Sequence, residues 1–150
     1  MDTSPELVDL TPSLGIAIRE RVPLGELPAF FGAAFAELGR IGGPHMAGPP
    51  FAIYHAFAED AIDVSAAMPV RTKLAATGRA VPIELAGGPA VQVEHVGPYE
   101  ELTATYGAIE KWIAEHHRAR AGAPREIYMT MPTEPASQQV TVVVQPLVQP

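Results

Sequence analysis

An internal repeat constrains the fold of this chain more than any other feature of its sequence. The segment over residues 16–27 is similar to the segment over residues 91–102, and later segments match at nearly the same offset. The matched positions include Pro23 with Pro98, Glu26 with Glu101, Leu27 with Leu102, Phe31 with Tyr106 and Tyr54 with Tyr128. We therefore predict two copies of one supersecondary unit, at about 13–75 and 85–148, within a single domain over residues 1–150.

The first copy predicts the order strand, helix, strand, strand. Apolar residues alternate from Leu14 to Ile18, which indicates a strand, and Pro23 favours the start of a helix. The side chains spaced to share one face of that helix are Leu24, Leu27, Phe31, Ala34 and Leu38. Glycines and a proline at 42–44 end the helix, and two strands are predicted near 51–58 and 61–70.

The second copy predicts the same order of elements. A strand over 89–96 leads into a helix over about 99–117, and further strands follow near 125–131 and 139–147. The predicted helix face consists of Leu102, Tyr106, Ile109 and Ile113, with Trp112 on its flank. The stretch over 75–88 contains no convincing element.

Two modules of this kind predict an α+β fold. We expect an antiparallel sheet and two main helices, arranged as pseudo-symmetric β-α-β-β modules that flank a central cleft. Clefts between repeated modules are favoured ligand sites, so the cleft is the first place to expect function.

Composition excludes several classes of function. The chain has 17 acidic and 10 basic residues with no basic cluster, which argues against direct nucleic-acid binding, and no DNA-binding motif is expected before residue 12. Cysteine is absent, so disulfide scaffolds and thiolate metal sites are excluded. The sequence has no secretory signal and no run long enough to span a bilayer, which predicts a cytoplasmic protein without membrane contact.

The second copy resembles a known family. The residues that carry the resemblance are the segment from His95 through Gly97-Pro98-Tyr99 to Glu101-Leu102, and the segment Ala123 to Tyr128. They are similar to the GyrI-like family, which includes the effector-binding domains of AraC-type and MerR-type multidrug-sensing regulators. The resemblance covers roughly residues 12–148 and agrees in order, spacing and duplication.

The resemblance implies a stand-alone domain that binds a hydrophobic or cationic, often aromatic, small molecule without a cofactor. The glutamate that pairs with the cation in such regulators matches Glu126, within the pattern Pro124 to Tyr128. Two alternatives also follow from the family. One is a hydrolase of strained cyclopropanoid electrophiles in which Glu126 and Tyr106 act, and the other is a gyrase-inhibitor-like module with a protein partner or a homodimer.

The residues alone favour an exposed carboxylate at a strand edge for Glu126, and the family resemblance favours a buried one instead. Alternation places it on the same strand face as Tyr128 and opposite Ile127. Aromatic residues on helices usually pack in the core. The residues that we nevertheless predict to bind ligand, together with Glu126, are Tyr54, Tyr106, Trp112, Phe31, Met68 and Tyr128. The histidines have no metal-ligand spacing, and His95 is predicted to make a structural hydrogen bond.

Overall fold

Eight strands and two helices form along the chain in the computed structural model, which describes residues 1–150. They belong to two units. The central unit is Pro12–Ala86, and the terminal unit combines Met1–Thr11 with Gly87–Pro150. The elements are β1 (Glu6–Leu10), β2 (Ser13–Pro23), α1 (Leu27–Gly42), β3 (Phe51–Phe57), β4 (Ala61–Val70), β5 (Val81–Leu85), β6 (Gly88–Val96), α2 (Leu102–Glu115), β7 (Arg125–Tyr128) and β8 (Val140–Pro146).

The central unit is a four-stranded antiparallel sheet with α1 packed on one face. Its strand order is β5-β2-β4-β3. The buried residues of α1 recur at every fourth position, and they are Phe30, Ala34, Leu38 and Gly42. Gly42 lets the helix approach the sheet closely, because a Cβ there would lie 3.5 Å from side-chain atoms of Ile16, Met68 and Val70.

The predicted apolar face of α1 is wrong by one position at its start. Phe30 is buried in the core, whereas Phe31 is only partly buried and Leu24 is exposed. Leu24 lies in a 3-10 turn, Leu24–Glu26, that precedes α1, so it is not part of the buried helix face. Phe30 and Phe31 are both within about one turn of Ala34, and the helix buries the one that lies four positions before it.

The terminal unit repeats this arrangement with the strand order β1-β6-β8-β7 and α2 on one face. Its core joins α2 to the two inner strands through Val91, Val93, Leu102, Ile109, Ile113, Val143 and Leu147. A second correction falls on the α2 face, where Thr105 is buried and Tyr106 is only partly buried. The predicted α+β class, with antiparallel strands and two main helices, is confirmed.

Two short edge strands, β1 and β5, were not expected from the sequence pattern. The stretch predicted to lack structure contains β5, which pairs with β2 in the central unit. The first residues of the chain contain β1, which pairs with β6 in the terminal unit. The strand that follows β1 in the chain belongs to the central unit, and the strand that follows β5 belongs to the terminal unit. Both five-residue strands therefore depend on pairing with a partner strand, because segments this short are not stable strands by themselves.

Neither helix is long and apolar enough to cross a membrane.

Gly97 is the position where backbone geometry demands glycine. Its φ of 140° lies in a region that L-residues rarely adopt, and a Cβ there would lie 2.9 Å from a carboxylate oxygen of Glu101. We expect Gly97→Ala to lower the free energy of unfolding by about 1 to 3 kcal/mol. Chemical denaturation measures the change.

The matched control for this substitution is Gly107→Ala in α2. A Cβ at Gly107 meets no atom within 4 Å, so alanine there should raise the free energy of unfolding by about 0.5 to 1 kcal/mol. Equal effects at the two positions would show that the backbone of Gly97 is not the constraint.

Candidate functional site

A buried carboxylate held by two tyrosines forms the centre of the candidate site. The side chain of Glu126 is in β7, and the residue is 7% exposed. The hydroxyl of Tyr106 donates to Oε2 of Glu126 at 2.6 Å, and the hydroxyl of Tyr128 donates to Oε1 at 3.0 Å. Glu126 is therefore a buried hydrogen-bonded carboxylate, and the alternative of an exposed edge residue does not hold.

The strand register explains why this carboxylate lies below α2. In the sheet, Glu126 is opposite Val143, which is buried in the core against α2. Alternation along β7 brings Tyr128 to the same face, as the sequence predicts, and Tyr106 reaches that face from α2.

Tyr99 adds a third tyrosine to this group, one that the predicted set of site residues did not include. Its ring lies edge-to-face against Tyr128 with centroids 6.0 Å apart, and the residue is 44% exposed. Burial and, after it, the negative charge of Glu126 raise the pKa of the Tyr99 phenol. The motif that carries the family resemblance contains Tyr99, but its counterpart in the first copy is Leu24, so comparison of the two copies could not have found it.

The central unit has an aromatic cluster of its own on α1 and β3. The ring of Phe31 stacks on Phe35 at 5.6 Å and meets Tyr54 edge-on at 6.5 Å, and Tyr54 stacks on Phe57 at 5.8 Å. We call these four residues the central aromatic cluster. Phe31 and Tyr54 were predicted from the sequence, whereas Phe35 and Phe57 were not, and Phe57 is 67% exposed.

The two remaining predicted residues lie in other surroundings. Trp112 packs against the core of the terminal unit and stacks on the ring of His116 at 4.0 Å, near the C-terminal end of α2. Met68 is buried in β4, and its side chain packs against Gly42 of α1. A Cβ added to Gly42 would lie 3.5 Å from the Met68 sulfur. The structure thus brings Glu126, Tyr106 and Tyr128 together by direct contact, and it places Met68 in the core of the central unit.

His95 makes the structural hydrogen bonds expected of it. Its Nδ1 lies 2.6 Å from a carboxylate oxygen of Asp2, and its Nε2 lies 3.0 Å from the carbonyl oxygen of Pro98. No three or more His, Cys, Asp or Glu side chains are grouped as metal ligands.

A family model supports the sequence resemblance. The model of the GyrI-like small molecule binding domain matches residues 3–145. No curated protein sequence matches the chain.

Several solved structures share the fold. The C-terminal domain of EcmrR is 20% identical with a TM-score of 0.81, and the match covers 97% of this chain and 98% of that domain. In the EcmrR–DNA complex the identity is 19% and the TM-score 0.78, with 96% of this chain matching 57% of the longer EcmrR chain. SAV2435 bound to tetraphenylphosphonium is 12% identical with a TM-score of 0.72, covering 97% and 94% of the two chains. A hydrolase from Listeria innocua is 15% identical with a TM-score of 0.68, covering 97% and 92%.

Proposed function

The chain belongs to the GyrI-like small-molecule-binding domain family, and we propose that it binds amphipathic aromatic cations through the carboxylate of Glu126. The observation that carries the proposal is the pair of tyrosine hydroxyls that donate to this buried carboxylate. Hydrogen bonds to a carboxylate favour its ionised form, and a negative charge kept away from water attracts a desolvated cation.

Aromatic rings beside the carboxylate suit the rest of such a ligand. The rings of Tyr99 and Tyr128 meet edge-to-face next to Glu126, and the face of a tyrosine attracts a cation. A lipophilic cation would therefore gain both a charge partner and apolar contact. The relative SAV2435, of the same fold, is bound to tetraphenylphosphonium, which makes that cation a suitable probe.

The other predicted ligand contacts stay predictions. Phe31 and Tyr54 supply aromatic faces within the central aromatic cluster, and Trp112 is a partly buried ring on α2. Met68 is buried beneath α1, so we expect it to affect ligand binding only indirectly, by setting the position of that helix.

A shape-matched pair of probes with opposite charges tests the proposal. Tetraphenylphosphonium and tetraphenylborate have nearly the same shape and opposite charge, so their difference in affinity isolates the contribution of charge. We expect isothermal titration calorimetry to show binding of the cation and at least tenfold weaker binding of the anion, a difference of about 1.4 kcal/mol. Equal affinity for the two probes, or no binding of the cation, would overturn the proposal.

Hydrolysis at the same carboxylate is a second candidate function. A tyrosine hydroxyl 2.6 Å from Glu126 places a proton donor beside a base, and a structure of the same fold is that of a Listeria innocua hydrolase. The water oxygen would bond to a carbon of the strained ring as a ring C–C bond breaks, while Glu126 takes a proton from that water. A tyrosine would donate a proton to the atom of the same molecule that receives the electron pair. Consumption of a cyclopropanoid electrophile by the wild type, lost in Glu126→Gln with folding intact, distinguishes turnover from binding alone.

A further inference from the structure

We propose that Asp2 is a positioning residue, which clamps the first turn of α2 and so sets the hydrogen bond between Tyr106 and Glu126. The proposed role of this hydrogen bond in ligand binding rests on the function proposed above. The clamp itself is a property of the terminal unit alone.

The N-terminal segment is fixed along the end of β6 by its backbone. The amide of Val96 donates to the carbonyl oxygen of Met1 at 2.7 Å, and the amide of Thr3 donates to the carbonyl oxygen of Glu94 at 2.9 Å. Asp2, between them, forms an antiparallel bridge with His95. The position of the Asp2 side chain is therefore set by the strand beside it.

The Asp2 carboxylate joins the sheet to α2. Oδ1 lies 2.6 Å from Nδ1 of His95 on β6, and Oδ2 accepts a hydrogen bond of 2.8 Å from the hydroxyl of Thr105 on α2. Both partners are buried, with His95 1% and Thr105 0% exposed. A buried hydroxyl and a buried imidazole thus depend on one carboxylate.

Both ring nitrogens of His95 have a partner. Nδ1 lies against the Asp2 carboxylate and Nε2 against the Pro98 carbonyl oxygen, so the orientation of the ring is fixed at two points. Burial acts to raise the pKa of Asp2, but the hydrogen bonds from His95 and Thr105 outweigh it and leave this pKa below its usual range. Glu101 is a second carboxylate close to His95. A Cβ added to Gly97 would lie 2.9 Å from a carboxylate oxygen of Glu101 and 3.5 Å from Nε2 of His95.

The start of α2 has no side-chain cap, so the hydrogen bond from Thr105 to Asp2 helps to fix the position of its first turn. No side chain caps the N-terminus of α2 or of the 3-10 turn Tyr99–Glu101 before it. Thr105 is the fourth residue of α2, and the next residue is Tyr106, whose hydroxyl makes the 2.6 Å bond to Glu126. Because neighbouring residues of a helix move together, releasing Thr105 displaces Tyr106, and hydrogen-bond strength falls steeply with displacement.

The test compares Asp2→Asn with Asp9→Asn. Both remove one negative charge from the N-terminal segment, but Asp9 is an exposed residue of β1. Asp2→Asn should shift the 13Cζ resonance of Tyr106 and weaken tetraphenylphosphonium binding about fivefold. Asp9→Asn should leave both unchanged.

Thr105→Val provides a second variant if Asp2→Asn folds poorly. It keeps the Asp2–His95 pair and the side-chain volume but removes the hydrogen bond from α2, so it should also shift the 13Cζ resonance of Tyr106.

The outcomes separate this inference from the proposed function. An unchanged Tyr106 resonance in folded Asp2→Asn or Thr105→Val overturns the positioning role, whether or not the protein binds the cation. If wild type does not bind tetraphenylphosphonium, the proposed function fails, and a shifted Tyr106 resonance still supports the clamp. Unchanged affinity in a binding-competent Asp2→Asn overturns the link between clamp and ligand.

Discussion

Glu126→Gln is expected to weaken the binding of tetraphenylphosphonium by at least about 30-fold, which corresponds to about 2 kcal/mol at the lower end for a buried charge pair. Glutamine keeps the size and polarity of the side chain but removes the negative charge that would face the cation. The two tyrosine hydroxyls remain beside it and can accept as well as donate, so the site should stay formed. Calorimetric titration of both forms under identical salt conditions measures the effect.

The control for this substitution is Glu100→Gln. Glu100 is an exposed carboxylate in the 3-10 turn before α2, so its replacement changes net charge equally without touching the site. It should change the affinity less than twofold. If the two variants bind the cation equally well, long-range attraction by the acidic surface, and not Glu126, accounts for binding.

The double variant Tyr106→Phe/Tyr128→Phe is expected to weaken cation binding. Each hydroxyl donates to the carboxylate of Glu126, and hydrogen bonds to a charged group contribute about 1.5 to 3 kcal/mol. Without them the ionised carboxylate, which would pair with the cation, is less favoured. We expect calorimetry to show at least about tenfold weaker binding than in wild type.

The assignment of this loss to Glu126 can be checked directly. Adding Tyr106→Phe and Tyr128→Phe to Glu126→Gln should weaken binding much less than the same two changes do in wild type. An equal loss in both backgrounds would show that the hydroxyls act on the ligand without Glu126.

Sequence reasoning named Glu126, Tyr106 and Tyr128, which the structure brings into contact, but not Tyr99 beside them. Glu126 followed from the family resemblance, and alternation along a strand placed Tyr128 on the same face. The hydrogen bond from Tyr106 depends on how α2 packs on the sheet, which periodicity does not specify beyond the helix face. The predicted helix face was itself imprecise, because Thr105 is buried and Tyr106 is only partly buried.

The features that the sequence did not predict are those that depend on distant partners. Asp2 lies in an acidic segment without any local pattern, and its partner His95 is 93 positions away. The strands β1 and β5 are five-residue edge strands that become ordered only by pairing with β6 and β2. Phe30 and not Phe31 is buried with Ala34 and Leu38, and helical spacing alone allows either residue on that face, so the choice depends on how α1 packs on its sheet.

The placement of β1 in the terminal unit has a consequence for the order in which the protein is made. During synthesis, β1 leaves the ribosome before the central unit, whereas its partner β6 follows that unit and ends only at Val96. At about 5 to 20 residues per second, β1 waits several seconds for β6, and the central unit can be complete in that time. Asp2 lies in the same waiting segment, so the clamp on α2 can form only after the whole central unit has been synthesised.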